Sequence, residues 1–459
     1  MEQITKPHCG ARLDRLPDCR WHSSMFAIVA FGLLVCWSNA VGGLILAQLK
    51  ALGWTDNSTT ATFSAITTAG MFLGALVGGI IGDKTGRRNA FILYEAIHIA
   101  SMVVGAFSPN MDFLIACRFV MGVGLGALLV TLFAGFTEYM PGRNRGTWSS
   151  RVSFIGNWSY PLCSLIAMGL TPLISAEWNW RVQLLIPAIL SLIATALAWR
   201  YFPESPRWLE SRGRYQEAEK VMRSIEEGVI HQTGKPLPPV VIADDGKAPQ
   251  AVPYSALLTG VLLKRVILGS CVLIAMNVVQ YTLINWLPTI FMTQGINLKD
   301  SIVLNTMSMF GAPFGIFIAM LVMDKIPRKT MGVGLLILIA VLGYIYSLQT
   351  SMLLITLIGF FLITFVYMYV CYASAVYVPE IWPTEAKLRG SGLANAVGRI
   401  SGIAAPYAVA VLLSSYGVTG VFILLGAVSI IVAIAIATIG IETKGVSVES
   451  LSIDAVVNK

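Results

Sequence analysis

The sequence predicts an all-α membrane protein, with twelve transmembrane helices in two pseudo-symmetric six-helix bundles. Three observations carry this. Of 459 residues, 56% are hydrophobic and only 12% charged, against about 25% charged in soluble domains. Apolar runs fall at 25–47, 59–82, 89–108, 111–138, 147–172, 180–202, 263–291, 301–323, 330–348, 351–378, 389–414 and 417–440, close to the ~20 residues that a span requires. The polar turn Asp83-Lys84-Thr85-Gly86-Arg87-Arg88 returns 241 residues later as Asp324-Lys325-Ile326-Pro327-Arg328-Lys329. A repeat of half the chain in a membrane protein points to two related bundles with a transport path between them.

The spans must be helical, because lipid satisfies no backbone polar group. The runs do not alternate in polarity, which excludes an outer-membrane barrel. Five segments follow: a cytoplasmic N-terminus (1–24), a first bundle (25–202), a cytoplasmic linker with short surface helices (203–262), a second bundle (263–440) and a cytoplasmic tail (441–459). The net charge of +8 is a topology signal and not a nucleic-acid signal. Lys6, Arg12, Arg15 and Arg20 precede the first span, and later cations fill every second loop. This places both termini and the middle loop in the cytoplasm. The scattered cysteines read as small fillers without metal spacing. No signal peptide is read; the first span stays in place.

Taken in order, the first span holds Asn39 at mid-membrane depth, before Gly42-Gly43. Asn39 reads either as a helix–helix hydrogen bond or as a substrate contact. The second span carries Gly70, Gly74, Gly78, Gly79 and Gly82, spaced for tight packing. Gly86 lets the chain reverse, and Asp83 at a helix end favours a nearby cation. In the third span Glu95 and His98 share one face. Ionisable groups inside spans are functional candidates by default. The pair reads as a proton carrier or as a structural bond near the headgroups. Arg118 in the fourth span costs at least ~2.5 kcal/mol to insert and requires an acidic partner or an anionic ligand.

Glu138, Pro141 and Arg145 close the fourth span, and Glu380, Pro383 and Lys387 repeat their spacing. After the sixth span comes Pro203-Glu204-Ser205-Pro206-Arg207-Trp208-Leu209, with Ser205 as N-cap and Pro206 at the first helical position. A charged surface helix is expected over 214–227, then a Pro-rich linker. Glu442-Thr443-Lys444-Gly445 is a weaker echo of the Glu204 stretch.

This ordered set resembles the sugar-porter branch of the major facilitator superfamily. It is more closely similar to the enterobacterial inner-membrane metabolite transport proteins placed there. The resemblance runs nearly end to end. It implies two bundles rocking about a central site, usually with proton symport or facilitated diffusion. It also implies a conformational gate, here Asp83, Arg87, Arg88, Arg145, Glu204, Arg207, Asp324, Arg328, Glu380, Lys387 and Glu442, with Glu138 beside it. Departures stand out. Ala275, Met276 and Tyr281 replace the usual Gln-Gln pair and Asn of the seventh span. Ser38-Asn39 stands where proton-coupled members carry an Asp, and Pro327 replaces a Gly.

Arg399, about ten residues into the eleventh span, lies ~15 Å deep. Twelve residues separate Arg145 from Asn157, and twelve separate Lys387 from Arg399. The two therefore hold matched positions in matched helices. A buried guanidinium is a bidentate receptor for carboxylate or phosphate, and an Arg here resembles organic-anion members of the superfamily. The alternative pairs it with a protein acid, which the C-terminal spans scarcely supply. Gln280, Tyr281, Asn285, Tyr372 and Asn395 are candidates to complete a substrate site, with Asn39, Arg118, Asn157 and Trp158.

The expected function is secondary active transport of a small hydrophilic metabolite, a sugar or sugar acid, across the inner membrane by alternating access. Protons are the expected coupling ion, with Glu95, His98 and Glu138 as candidates. Alternatives are an organic or aromatic acid carrier, a facilitative polyol uniporter, and a nutrient receptor that does not translocate. No enzyme is expected, since no nucleophile–base set or metal cluster is legible. Neither a cofactor nor nucleic acid is required. The partners are the small molecule, protons and the bilayer, and the chain is expected to be a monomer.

Overall fold

A computed structural model describes residues 7–17, 19–141, 145–240, 253–323, 325–383 and 386–444, without the side chains of 133, 134, 137, 145, 146 and 388. Nine helices among these residues are long and apolar enough to cross a membrane. Three features reconcile them with twelve apolar runs. The first run is broken into Arg20–Val35 and Gly42–Ala51. The fifth is broken at Trp158, between Arg145–Asn157 and Ser159–Leu170. The eleventh and twelfth join without a loop inside Lys387–Ile439, where Gly417 takes φ 64° and ψ −159°. Only glycine reaches that conformation without strain. Apolarity marks where chain enters lipid; it does not mark where a helix bends or stops.

The remaining spans are Asn57–Thr85, Arg87–Ala106, Met111–Tyr139, Ala176–Tyr201, Gly260–Thr293, the pair Leu298–Met309 and Gly311–Val322, Arg328–Ser347 and Met352–Cys371. The last runs on through a π-helical stretch, Tyr372–Tyr377. Side-chain caps start several helices. Asn110 accepts from the Phe113 N–H at 2.9 Å, and Ser205 accepts from the Trp208 N–H at 3.2 Å, as its Ser-Pro sequence predicts. The surface helix after it, Tyr215–Thr233, is longer than expected.

Two compact units divide the chain. One comprises the described parts of Met1–Asn39, Gly70–Ser159 and Leu184–Gly246; the other comprises Ala40–Ala69, Tyr160–Gln183 and Lys247–Lys459. In the first, Phe91, Tyr94, Leu128, Phe136, Tyr139 and Trp148 build an apolar core. The second and fourth spans touch backbone to backbone: a Cβ at Gly74 would strike Val123, and one at Gly126 would strike Met71. Small residues allow this approach in lipid, where packing and not hydrophobicity holds helices together. In the second unit, Trp286, Ile290, Val409, Leu413 and Val421 pack with Ala61.

The N-terminal helix Cys9–Asp14 docks on the surface helices. Cys9, Leu13 and Leu16 pack with Trp208, Leu209, Met222 and Ile225. Arg12 bonds Glu219 and, at 2.6 Å, Glu226, which also receives Arg15 at 2.6 Å. Burial opposes ionisation of Glu226, but Arg12 and then Arg15 outweigh it and hold the carboxyl below the usual range. A depressed carboxylate stabilises the fold above its ordinary pKa and ceases to do so as pH falls through the depressed value. Protection of amides 9–16 against hydrogen exchange should therefore fall about tenfold on acidification below the ordinary Glu range, the size of one charged hydrogen bond. Glu226→Gln should lose that protection already at neutral pH. Equal protection in the variant and the wild type would show that the ion pairs do not hold this helix.

Candidate functional site

The two repeated turns build the same device twice. Gly86, at φ 97°, delivers Arg87 to the first position of the third span. There Glu204 Oε1 accepts from the N–H groups of Arg87 (2.6 Å), Arg88 (3.3 Å) and Ser205 (3.0 Å). A carboxylate at a helix N-terminus meets both the unpaired N–H groups and the positive end of the dipole. A Cβ on Gly86 would collide with that carboxylate. The Arg87 side chain donates to Glu138 at 2.9 Å and to Asp83 at 2.7 Å, and the Tyr139 hydroxyl donates to the Pro203 carbonyl at 2.6 Å.

In the second unit Glu442 accepts from the N–H groups of Arg328 (2.8 Å) and Lys329 (3.1 Å). Burial opposes its ionisation, but these backbone donors outweigh it and hold the carboxyl below its usual range. The Arg328 side chain donates to Glu380 at 3.0 Å, and the Tyr377 hydroxyl donates to the Ile441 carbonyl at 3.0 Å. Pro327, at φ −56°, replaces Gly86 because this turn needs no positive φ. Of the other gate candidates, Arg88 donates to the Trp199 carbonyl at 2.5 Å. Arg207 holds Asp14 at 2.9 Å, in the N-terminal dock. Lys387 is exposed. Asp324 and the Arg145 side chain lie outside the described residues.

A second cluster surrounds the break in the first span. Glu95 and His98 are fully buried. His98 Nδ1 lies 3.4 Å from Glu95 Oε2 and Nε2 lies 2.7 Å from Ser38 Oγ. The Cys36 thiol donates to Glu95 Oε1 at 3.7 Å. Arg118, expected to need an acid or an anion, donates to the Ser38 carbonyl at 2.7 Å and touches Met121 sulfur at 3.2 Å. The physical reason is local: a helix interrupted at 36–41 frees carbonyls, and a buried guanidinium satisfies one of them. Thiol, carboxylate and imidazole donor atoms lie within 4.8 Å of one another. Each of the three residues is hydrogen-bonded to another member of the set, so three titratable side chains meet in one buried place. Cys36 was not singled out from sequence, and Ser38 only as standing with Asn39 where proton-coupled members carry an acid. The available signal was the polar run Cys36-Trp37-Ser38-Asn39 before two glycines.

Arg399 is half-buried, and its Nη1 is a buried atom without a hydrogen-bond partner among the described residues. The eleventh span presses on the seventh on either side of it. A Cβ at Gly398 would come within 2.8 Å of Leu273 and 3.0 Å of Asn277 Nδ2, and one at Gly402 within 3.1 Å of the Tyr281 ring. Ile400 faces outward, 55% exposed. The glycines flanking Arg399 thus pack on the seventh span, which carries Asn277, Gln280, Tyr281 and Asn285. Asn277, buried and donating to the Leu273 carbonyl at 2.7 Å, was missed from sequence. Tyr372 is stacked on Tyr377 at 5.0 Å. Asn395 is exposed and donates to the Ser391 carbonyl at 2.9 Å. In the first unit, Asn157 donates to the Ser153 carbonyl at 2.8 Å just before the break at Trp158, and half-buried Asn39 lies in the break at 36–41.

Residues 25–406 match the family model of the Major Facilitator Superfamily. The chain belongs to this superfamily. Within it, the inner membrane metabolite transport protein YdjE of Escherichia coli K12 is 44% identical, covering 98% of this chain and 99% of its own. The niacin transporter NiaP of Acinetobacter baylyi is 25% identical over 96% and 99% of the two chains. Among solved structures, the xylose transporter XylE of E. coli in a partially occluded inward-open conformation superposes with a TM-score of 0.73 at 18% identity, covering 93% of this chain and all of that one. As a superfamily member the protein is a multi-pass inner-membrane secondary transporter of small-molecule metabolites, not an enzyme.

Proposed function

We propose that this carrier moves a small hydroxylated metabolite bearing a carboxylate, a sugar acid or a related organic acid, together with protons. The observation that supports it is the unsatisfied Nη1 of Arg399. A guanidinium held in a span with a buried donor unpaired is destabilised until an acceptor arrives, and a carboxylate supplies two. The flanking amides and hydroxyls of Asn277, Gln280, Tyr281 and Asn285 suit a polyhydroxyl body. A relative named for niacin and a fold neighbour named for xylose bracket this chemistry. The buried Glu95–His98 pair supports proton coupling, with the acid on the third span where the first span has none. Loop charge supports cytoplasmic termini, with bundles at 25–202 and 263–440 in a monomer. A thermal-shift screen tests the cargo class, since ligands stabilise by mass action. Sugar acids should raise the melting temperature and matched neutral sugars should not; stabilisation by neutral polyols alone would favour the uniporter alternative.

A further inference from the structure

A cavity of about 630 Å³ opens in the first unit, lined among others by Trp21, Arg88, Tyr201, Glu204, Arg214 and Lys220 and by no member of the Glu95 cluster. Its position is set by two spans. Arg88 stands in the first turn of Arg87–Ala106 and Tyr201 ends Ala176–Tyr201, so the floor lies where helices leave the hydrocarbon. Trp199 and Tyr201 beside it are 63% and 60% exposed, the aromatic belt of a headgroup region. The roof is the surface helix Tyr215–Thr233, with apolar Val221 and Ile225 beside Lys220.

The charges in the lining are unequally used. Glu204 is taken by three backbone N–H groups, and Glu217 by Arg214 at 2.8 and 2.5 Å. Lys220 is exposed and has no partner among the described residues. Arg88 keeps a buried, unpartnered Nε. Two of the three cations in the lining, Lys220 and Arg88, which bonds the Trp199 carbonyl, thus have no carboxylate partner among the described residues, while both acids are already engaged. Basic pockets of this kind at a membrane surface recognise phosphate-bearing headgroups, and the volume falls in the range of small-molecule sites.

We propose that this cavity binds the headgroup of an anionic phospholipid from the leaflet on the side of the Gly86 turn, its phosphate between Arg88 and Lys220 and its glycerol and upper chain against Trp21 and Tyr201. The proposal goes beyond the cargo reading and does not depend on it. Glu204 forms part of the cavity wall and also caps the third span, so an occupant stabilises the Glu204–Arg87–Glu138 arrangement by linkage. The test follows thermal unfolding of the purified full-length protein with phosphatidylglycerol, phosphatidylcholine, inorganic phosphate or glycerol 3-phosphate added. Phosphatidylglycerol should raise the melting temperature and phosphatidylcholine should not. Lys220→Glu, an exposed charge reversal, should shift the half-saturating lipid concentration roughly thirtyfold upward, and Ser224→Glu on the same wall should act in the same direction. Undiminished stabilisation of both variants by phosphatidylglycerol would overturn the site. Equal stabilisation by the two soluble phosphates would overturn the lipid assignment in favour of a soluble anion.

Discussion

Arg399→Ala abolishes uptake of the acidic cargo while the protein still inserts and folds. Removing one partner of a buried, hydrogen-bonded charge pair costs about 2–5 kcal/mol, roughly thirtyfold to several-thousandfold in affinity. The fold loses little, because Nη1 makes no hydrogen bond to any of the described residues and the eleventh span packs through Gly398 and Gly402. Arg399→Lys should recover part of the transport, since it restores the charge and not the two-pronged geometry. The measurement is radiolabelled uptake in proteoliposomes, with expression and thermal stability as controls. Normal uptake of acids by the Ala variant would remove Arg399 from the site. Loss of neutral-sugar uptake to the same degree would show that the guanidinium positions the helix and does not read a carboxylate.

Glu95→Gln separates exchange from accumulation. The substitution keeps the size of the side chain and acceptors for Cys36, yet holds no exchangeable acidic proton. Counterflow of labelled against unlabelled cargo should persist. Accumulation driven by an imposed pH gradient, about tenfold per pH unit for one proton per cargo, should vanish. His98→Asn should act in the same direction, because His98 spans Glu95 and Ser38. The charged and titratable groups facing this pair are the Cys36 thiol and, through the Ser38 carbonyl, Arg118, and Glu95→Gln leaves no buried acid behind in this cluster. Gradient-driven accumulation that survives in Glu95→Gln would place the proton elsewhere, with Glu138 next in line.

The contacts of the repeated polar turns were largely readable before any coordinates. Asp83, Arg87 and Glu138 stand out because charged residues are rare in this chain and recur at one spacing, and the structure joins them at 2.7 and 2.9 Å. Tyr139 and Tyr377, which tie each polar cluster to the segment after its last span, passed unnoticed, since a Tyr in an apolar run looks like packing. Arg118 was recognised as needing a partner, but a backbone carbonyl as that partner has no signature in a string of side chains. The contacts of Cys36 and Ser38 were hidden for the same reason: they arise at a helix break that no Pro announces.

Composition and the spacing of apolar runs determined by themselves that this is a helical membrane protein of twelve apolar runs, and the repeated polar turn that its plan is duplicated. Those are local quantities, and lipid imposes them one segment at a time. Which carboxylate caps which helix, that Glu95 and His98 close a buried ring with the first span, and that Arg399 keeps a donor unmet were decided only by tertiary structure. Each depends on which faces of distant helices meet, and that is set by packing of small residues between spans, not by the residues immediately before and after.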